Sequence, residues 1–453
     1  MRKRFRAYYE PSEQALETLW RSATITLDAN VLLNLYRYPT AAREDLLRVL
    51  QQLSQRLFVP YQAAIEYQRN RLNVISLQRK RFDEVRNVLL ETQNKLQSDL
   101  GKLQLEKRHS SINASKLLLG IKSVFDEFTA ELNESEKDHL NVRSHDNIRD
   151  SIDQIAESRV GDPPSQNELD EIYKEGKSRY ENQIPPGYSD TRKAKEVPAQ
   201  FSTHGLRIER QFGDLILWKQ LIKLASTQSL KHLILVTDDE KEDWWLTIDS
   251  LGKKTIGPRP ELLEEMMDNT SLEDFYIYNS ETFLQNAKKY LLAEVKEQSI
   301  DEVRMVRQEQ NAKSKWESFT RPAVDAAYLW LKGRHPGLAA KVNDAEWEIS
   351  FEDSTGIVAA YQIYCLSGAD SVSQVDFIFD SIRGASSTPS ILALRQFGSV
   401  IVLEDRNHYG YLEPWIRDVI LQSNMSLTIG ELHRASDGAA SFSPFWSKRV
   451  EAR

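Results

Sequence analysis

TITLDANVLLNLYRY, residues 24–38, is the stretch that decides the fold. Its first four residues are β-branched or apolar and predict a buried strand, and the residues from Val31 onward have the apolar spacing of a helix. Asp28 lies near the junction, where removing a carboxylate from water costs free energy. Two interpretations are open: Asp28 caps the helix, or it binds a metal ion at the carboxyl end of a parallel strand.

The composition is that of a soluble protein with a sizeable core, because 40% of the 453 residues are hydrophobic and 28% are charged. The net charge of −8 gives no overall basic field, so a nucleic-acid partner would need a local basic patch. The single cysteine, Cys365, excludes an internal disulfide bond and a multi-cysteine zinc site. The apolar runs are far shorter than a membrane span, and the basic start lacks the apolar stretch of a signal peptide. We therefore expect a cytoplasmic protein without membrane association.

Strand and helix patterns alternate on both sides of a long polar helical segment. Residues 24–68 predict strand, helix, strand and helix, and the alternation resumes over 213–295, where Ser280 is the predicted cap of the last helix. Between these regions, apolar residues recur every seven positions from Ile75 to Leu103. Polar residues such as Arg79 fill the other seam position, which favours an intramolecular helical arm over an extended coiled coil.

The C-terminal part predicts a second domain that carries no motif tied to chemistry. Paired strands are expected at 346–353 and 358–366, followed by an α/β segment at 399–433. This part contains several aromatic residues, and many of them are expected to lie in its core. They are Tyr328, Trp330, Trp347, Trp415 and Trp446. The predicted domains are an α/β domain at 1–295 with a helical insertion at about 69–181, a helical connector at 296–320 and an α+β domain at 321–453.

Acidic residues recur at the ends of the α/β elements. They are Asp28, Glu66 in the helix after the second strand, Asp214 at the start of the helix at 213–226, and Asp238, Asp239 and Asp243 after the strand LILVT. Each alone has a structural interpretation, as a helix cap, a first-turn acid or a solvated helix residue. Together they indicate a cation site, because clustered carboxylates repel one another unless cations neutralise them. Oxygen ligands suit Mg²⁺ or Mn²⁺, which activate water and offset charge on a scissile phosphate.

These motifs resemble the PIN-domain nucleases, and more narrowly the bacterial PIN-like proteins that carry a long helical insertion. The resemblance is carried, in order, by TITLDANVLLNLYRY, VPYQAAIEYQRNR, PPGYSD, RQFGDLILWKQLI and LILVTDDEKEDWW, and it spans nearly all of residues 20–295. It implies a central parallel sheet sandwiched by helices. It also implies hydrolysis of phosphodiester bonds with Mg²⁺ or Mn²⁺, most often in RNA.

The resemblance further implies roles for individual residues. The expected catalytic and metal-binding carboxylates are Asp28, Glu66, Asp214 and Asp239, with Asp238 and Asp243 as additional metal candidates and Asn30 and Thr237 as supporting groups. Asp239 is preferred over Asp238 because it completes the Thr237-x-Asp239 pattern. Asp243 is expected to be an outer member of the set.

Basic residues next to the acids are candidate substrate contacts. Arg69 and Arg71 follow Glu66 on its helix, and Tyr188 and Lys193 lie in the segment PPGYSDTRKAK, which fits a loop that stacks a base and holds the backbone. A solvated helix face and a plain linker are the structural alternatives. The expected partner is nucleic acid, with RNA favoured over DNA.

The resemblance predicts a metal-dependent endoribonuclease acting as a toxin or in anti-phage defence. A phosphatase that phosphorylates its own aspartate is disfavoured, because Asn30 occupies the position of that family's second acid. No phosphate-binding GxxxxGK[ST] loop is present. The remaining alternative is a catalytically silent scaffold that binds RNA or protein. The domain at 321–453 is expected to bind a protein partner or a second copy of the chain.

Overall fold

The computed structural model describes residues 1, 4–103, 114–137, 139–195, 197–249, 253–315, 319–343, 348–366, 371–385, 394–418, 425–434 and 439–449. The chain divides into two compact units. The first unit comprises Met1–Thr191, Gln200–Trp244 and Pro258–Arg307, and the second comprises Arg192–Ala199, Trp245–Gly257 and Gln308–Arg453.

A parallel four-stranded sheet forms the centre of the first unit. Its strands are β1 (Thr24–Leu27), β2 (Leu57–Phe58), β5 (His232–Val236) and β8 (Asp274–Tyr278), while β3 (Gln200–Thr203) and β4 (Leu206–Glu209) form a separate hairpin. The order in the sheet is β2-β1-β5-β8, with Ile25 opposite both Leu57 and Ile234. Helices flank this sheet, which is why Leu233 to Val236 are fully buried. The predicted parallel sheet is confirmed.

Side-chain caps explain where several helices of this unit begin. The helices are α1 (Glu13–Ser22), α2 (Ala29–Asn34), α3 (Thr40–Gln52), α4 (Tyr61–Lys102), α5 (Ser115–Lys137), α6 (Asn147–Ile155), α7 (Gln166–Glu181), α8 (Gly213–Thr227), α9 (Pro260–Asp268), α10 (Ser280–Leu291) and α11 (Glu297–Lys315). Ser165 and Glu168 form a capping box at α7. The predicted cap of α10 is wrong: the side chain of Asn279 accepts from the backbone N–H of Thr282 at 2.8 Å, and Ser280 is the first helical residue.

The predicted helical insertion contains the hairpin of α4 and α5. The buried residues of α4 end at Ile75, and at 1.5 Å per residue the remaining helix extends for roughly 40 Å. Arg79 and Arg86, which occupy polar seam positions of α4, both form ion pairs with Glu136 on α5. At these positions a coiled coil would have apolar residues. Although α4 is long, no helix among the described residues is both long and apolar enough to cross a membrane.

The carboxyl ends of three strands meet at one edge of the first sheet. The backbone N–H of Asp28, just after β1, donates to the carbonyl of Val236 at 3.0 Å. The N–H of Thr237, just after β5, donates to the carbonyl of Tyr278 at 2.9 Å. The strand pairing therefore continues one residue beyond β1 and β5, which fixes the positions of the acidic residues that follow them.

A six-stranded mixed sheet forms the centre of the second unit. Its elements are α12 (Arg321–Arg334), β9 (Ala339–Asn343), β10 (Glu348–Asp353), β11 (Gly356–Leu366), α13 (Ser371–Ala385), β12 (Gln396–Leu403), α14 (Tyr409–Asp418), β13 (Met425–Arg434) and β14 (Ala440–Arg449), while β6 (Trp245–Asp249) and β7 (Lys253–Pro258) form a two-stranded sheet. The strand order is β14-β13-β12-β11-β10-β9, with β11, β12 and β13 parallel. The predicted pairing of the first two strands is confirmed: β10 pairs with β11, and the pairing is antiparallel. Trp347 lies outside the described residues.

Separate apolar clusters cover the two faces of this second sheet. One contains Leu331 of α12 with Phe351, and the other contains Phe379 of α13 with Ile416 of α14. Four of the predicted core aromatics are partly buried and pack against these clusters, namely Tyr328, Trp330, Trp415 and Trp446. The fold class predicted from the sequence, an α/β sheet with a helical insertion and a second C-terminal domain, is therefore confirmed.

Candidate functional site

Asp28 uses its two carboxylate oxygens for different purposes. Oδ1 accepts from the backbone N–H of Ala29 at 2.6 Å, so the residue is the N-cap of α2. Oδ2 accepts from Asn30 Nδ2 at 2.6 Å and from the hydroxyl of Thr237 at 2.7 Å. The cap interpretation is therefore correct for one oxygen, and the other oxygen lies in a polar network at the edge of the sheet.

Asn30 and Thr237 connect the ends of β1 and β5. The amide oxygen of Asn30 accepts from the backbone N–H of Asp238 at 3.0 Å, and its Nδ2 also donates to the Thr237 hydroxyl at 3.1 Å. The same hydroxyl accepts from the backbone N–H of Asp239 at 3.2 Å. These contacts hold the segment after β5 against Asp28.

Glu66 approaches the start of α8 at Gly213, the residue before Asp214. A Cβ atom at Gly213 would lie 2.8 Å from Glu66 Oε1 and 3.4 Å from Gln62 Nε2. Gln62, one turn earlier on α4, donates to Glu66 Oε1 at 2.5 Å and fixes its orientation. Asp214 lies in the first turn of α8, where the helix dipole favours a negative charge.

Lys241 joins carboxylates from three separate segments. Its ammonium lies 2.7 Å from Asp239 Oδ2, 3.0 Å from Asp190 Oδ1 and 3.4 Å from Asp214 Oδ2. The indole N–H of Trp244 also donates to Asp214 Oδ2, at 3.4 Å. Sequence reasoning identified neither Lys241 nor Asp190 as a site residue. The only signal was position: Asp190 ends the motif PPGYSD, and Lys241 lies two residues after Asp239.

Asp238 and Asp239 are adjacent in sequence and engage different partners. Asp238 is buried and accepts from the backbone N–H of Ser280 at 2.8 Å, from the Ser280 hydroxyl at 2.7 Å and from Asn34 Nδ2 at 2.7 Å. Asp239 is directed to Lys241. The structure therefore brings Asp239 to the other acids and gives Asp238 a set of donors at the start of α10.

Asp243 holds the loop that carries Asp190. It is fully buried, and its Oδ2 accepts from the backbone N–H groups of Gly187 at 2.9 Å and Ser189 at 3.1 Å. Gly187 has φ +94°, and a Cβ there would lie 2.3 Å from the Tyr180 hydroxyl. Asp243 Oδ1 is buried and has no hydrogen-bond partner among the described residues.

The electrostatics show that these acids are close enough to interact. Burial, followed by the neighbouring charges of Asp214 and Glu66, raises the pKa of Asp28 to about 8. Burial, followed by the charge of Asp214, raises the pKa of Asp243 to about 6. Burial acts to lower the pKa of Lys241, but the charges of Asp214 and Asp239 outweigh it and hold that pKa well above its usual value. A further cation at this edge would relieve the repulsion.

A family model described as "PIN like domain" matches residues 24–262, which is more than half of the chain. The chain belongs to the PIN-like domain family. No curated protein and no solved structure matches it significantly. The matched range contains every acid of the site, from Asp28 to Asp243, together with the helical insertion. PIN-like domains are generally nucleases that use divalent metals, which makes this edge of the PIN-like sheet the candidate active site.

The donor set of the PIN-like site fits a divalent cation. Its candidate ligands are all carboxylate oxygens, the kind that Mg²⁺ and Mn²⁺ prefer, and the buried Oδ1 of Asp243 has no hydrogen-bond partner among the described residues. Among the described residues, however, no three acidic, histidine or cysteine side chains are gathered as a group that could hold an ion. Three of the acids surround the Lys241 ammonium instead.

The four candidate substrate contacts lie in different environments. The guanidinium of Arg69 stacks on Phe201, 3.7 Å from the ring centroid. Arg71 is 9% exposed and forms an ion pair with Asp146, so it would have to give up this partner to reach a phosphate. The Tyr188 hydroxyl accepts from Arg259 Nη1 at 3.1 Å, and Lys193 is partly exposed in the short 3-10 helix Tyr188–Lys195.

Proposed function

We propose that this PIN-like protein is a metal-dependent endonuclease that hydrolyses phosphodiester bonds, with RNA as its substrate class. The proposal is supported above all by the convergence of acids from four distant segments, Asp28, Glu66, Asp214 and Asp239, at the carboxyl edge of one parallel sheet. This is the edge at which α/β sheets bind their ligands. The membership of a family whose members are generally nucleases supports the same reaction class.

Four carboxylates would hold the metal: Asp28, Glu66, Asp214 and Asp239. A bound Mg²⁺ or Mn²⁺ would activate water and offset charge on the scissile phosphate. Asn30 and Thr237 orient Asp28 Oδ2, and Gln62 orients Glu66. Such supporting contacts fix ligand geometry and matter almost as much as the ligands themselves. Asp238 is assigned a structural role because Ser280 and Asn34 engage its carboxylate.

Substrate contacts are assigned to residues that need not break a buried ion pair. Arg69, Tyr188 and Lys193 are proposed to contact the nucleic acid, through phosphate attraction and base stacking. Arg71 is not included, because its guanidinium is committed to Asp146. The chain as a whole is acidic, so binding would depend on such local basic residues and would weaken as salt rises.

The alternative function is a catalytically silent scaffold that binds RNA or protein. One observation favours it: Lys241 already supplies a positive charge to three of the acids. We favour the nuclease because the chain belongs to a family whose members are generally nucleases, and because the charges of Asp214 and Glu66 add to burial in raising the pKa of Asp28, which shows that these acids interact.

The proposed setting is the cytoplasm, where the nuclease would act as a toxin or in anti-phage defence. This part rests on the resemblance of the motifs to bacterial PIN-like proteins with a helical insertion. The domain at 321–453 is proposed to bind a protein partner or a second copy of the chain and to control cleavage, since a toxic nuclease needs restraint.

The deciding experiment maps cleavage ends. The purified full chain is incubated with Mn²⁺ and with RNA or DNA of the same sequence, and the 5′ ends are sequenced; chelation by EDTA is the control. The nuclease proposal expects discrete new ends that disappear with EDTA and are more abundant on RNA. Shifted mobility of the RNA without new ends would support the scaffold instead. Cleavage of DNA alone would contradict the RNA assignment.

A further inference from the structure

Lys241 places its ammonium among three of the acids at the edge of the first sheet. Its ammonium contacts Asp239, Asp190 and Asp214 at 2.7, 3.0 and 3.4 Å. The three acids come from the segment after β5, from the loop before β3 and from the start of α8. The lysine side chain is only 26% exposed, so solvent screens these contacts weakly.

A divalent ion at the proposed site would use the same oxygens. Asp214 and Asp239 are two of the four proposed ligands, and the ammonium contacts Oδ2 of each. Mg²⁺ binds oxygen at about 2.0–2.1 Å with near-octahedral geometry and keeps several waters. An ammonium retained beside it would repel it, because like charges held close together in a site that solvent screens weakly disfavour each other.

We propose that Lys241 is the built-in counter-ion of the metal-free site, and that its ammonium and a divalent ion are alternative occupants of Asp214 and Asp239. The inference rests on the proposed function for the existence of the metal site. Lysine suits the role because its ammonium is a compact charge on a flexible four-carbon stem. Without metal, the ammonium neutralises the repulsion between Asp214 and Asp239. When a metal ion binds, the ammonium moves away from both carboxylates. Lys241 is thus a positioning residue that sets metal affinity.

The first test follows Lys241 itself in the wild-type protein. Lysines are acetylated briefly with and without saturating Mg²⁺, and the modified peptides are quantified by mass spectrometry. Lys219 is the matched control: it is 25% exposed and also contacts two carboxylates, Glu175 at 2.7 Å and Glu265 at 3.6 Å. We expect Mg²⁺ to raise the labelling rate of Lys241 at least about fivefold, the lower end of typical coupling between ligands, and to leave Lys219 unchanged.

The second test removes the charge. Lys241→Met should lower the metal-free melting temperature and should bind Mg²⁺ at least about fivefold more tightly by calorimetry. The control Lys219→Met should leave Mg²⁺ affinity unchanged. Removing any nearby positive charge would favour a cation, so the labelling result decides between displacement and simple repulsion.

The outcomes separate this inference from the proposed function. Mg²⁺ binding to the wild type without a change in Lys241 labelling would overturn the inference and leave the metal site intact, whether or not Lys241→Met folds. Displacement of Lys241 by Mg²⁺ without any cleavage of nucleic acid would support the inference and contradict the nuclease. Absence of Mg²⁺ binding by both the wild type and Lys241→Met would contradict both.

Discussion

The four-stranded sheet with the loops at its edge and the six-stranded sheet differ in which polar groups they bury. Among the described residues, the buried polar groups of the second sheet are hydroxyls, Ser350, Ser399 and Thr428, whereas the first unit buries carboxylates such as Asp190, Asp238 and Asp243. Burying a charge costs several kcal/mol unless partners satisfy it. The second sheet follows the ordinary rule for a stable core, and the first accepts a cost at the edge where the proposed chemistry takes place. The six-stranded sheet thus has the composition of a structural core, whereas the edge of the four-stranded sheet has that of a candidate active site.

The largest effect should come from removing a proposed ligand. Asp28→Asn and Asp214→Asn should each lower the rate of metal-dependent RNA cleavage by about a hundredfold or more, because even supporting groups around metal sites contribute 10–100-fold. The control is Asp153→Asn, which changes a carboxylate that is 58% exposed on α6. Circular dichroism should be the same for all the variants. Near-normal cleavage by either ligand variant would contradict the assignment.

The second-largest effect on cleavage should come from adding a methyl group next to Glu66. In Gly213→Ala the new Cβ would lie 2.8 Å from Glu66 Oε1, so the carboxylate must move. We expect cleavage to fall by about 10–100-fold, as for other groups that orient ligands. Gly333→Ala is the matched control, because it lies in α12 of the second unit with open space around its Cβ position. It should keep full activity and gain about 0.5–1 kcal/mol of stability. Equal cleavage rates for the two variants would contradict the placement of Glu66.

The pH dependence of stability should also originate in the first unit, at Asp28. The pKa of Asp28 rises from 3.8 to about 8 on folding, so between these pH values the native state binds more protons than the unfolded state. The free energy of unfolding of the metal-free protein should therefore fall as pH rises through this window. Mg²⁺ requires ionised ligands, so its stabilising effect should grow from pH 6 to pH 8.5. Urea unfolding of the wild type and of Asp28→Asn measures both effects. An equally steep pH dependence in Asp28→Asn would contradict this origin.

Substitutions of the adjacent acids Asp238 and Asp239 should affect different properties, stability for Asp238 and cleavage for Asp239. Asp238→Asn removes a charge that Ser280 and Asn34 hydrogen-bond, and it should lower the free energy of unfolding by about 1–3 kcal/mol. Asp239→Asn should change stability less and cleavage far more. Denaturant unfolding and the cleavage assay, run on both variants, give the comparison. A stable, inactive Asp238→Asn would reverse the roles assigned to these two acids.

The sequence predicted the parts of the fold that local patterns control. Uninterrupted β-branched and apolar runs gave β1 and β5, and the acids were located because they lie directly after such runs or at helix starts. The strands β9 and β14 were not predicted, because their burial alternates weakly and their pairing depends on distant strands. The predicted Ser280 cap failed because two adjacent residues, Asn279 and Ser280, can both cap a helix, and Asp238 engages the serine.

Within the site, the sequence predicted the individual acids but did not predict that Lys241 lies between them. Lys241 lies in the charged run DDEKED, where a solvated lysine is the ordinary interpretation. Only the fold brings Asp190 and Asp214, 51 and 27 residues earlier in the chain, to the same ammonium. The catalytic roles of the acids and the domain limits at residues 295 and 321 stay predictions.

Removing residues 321–453 should have the smallest effect on cleavage. None of the proposed ligands lies in residues 321–453, and the sheet there buries hydroxyls in place of charges. A chain truncated before residue 321 should therefore retain measurable Mn²⁺-dependent cleavage, while its oligomeric state by light scattering, or its control by a partner, should change. The control is the same truncated chain carrying Asp214→Asn, which should be inactive. Loss of all cleavage in a truncated chain that is folded by circular dichroism and unchanged in oligomeric state would show that residues 321–453 take part in catalysis.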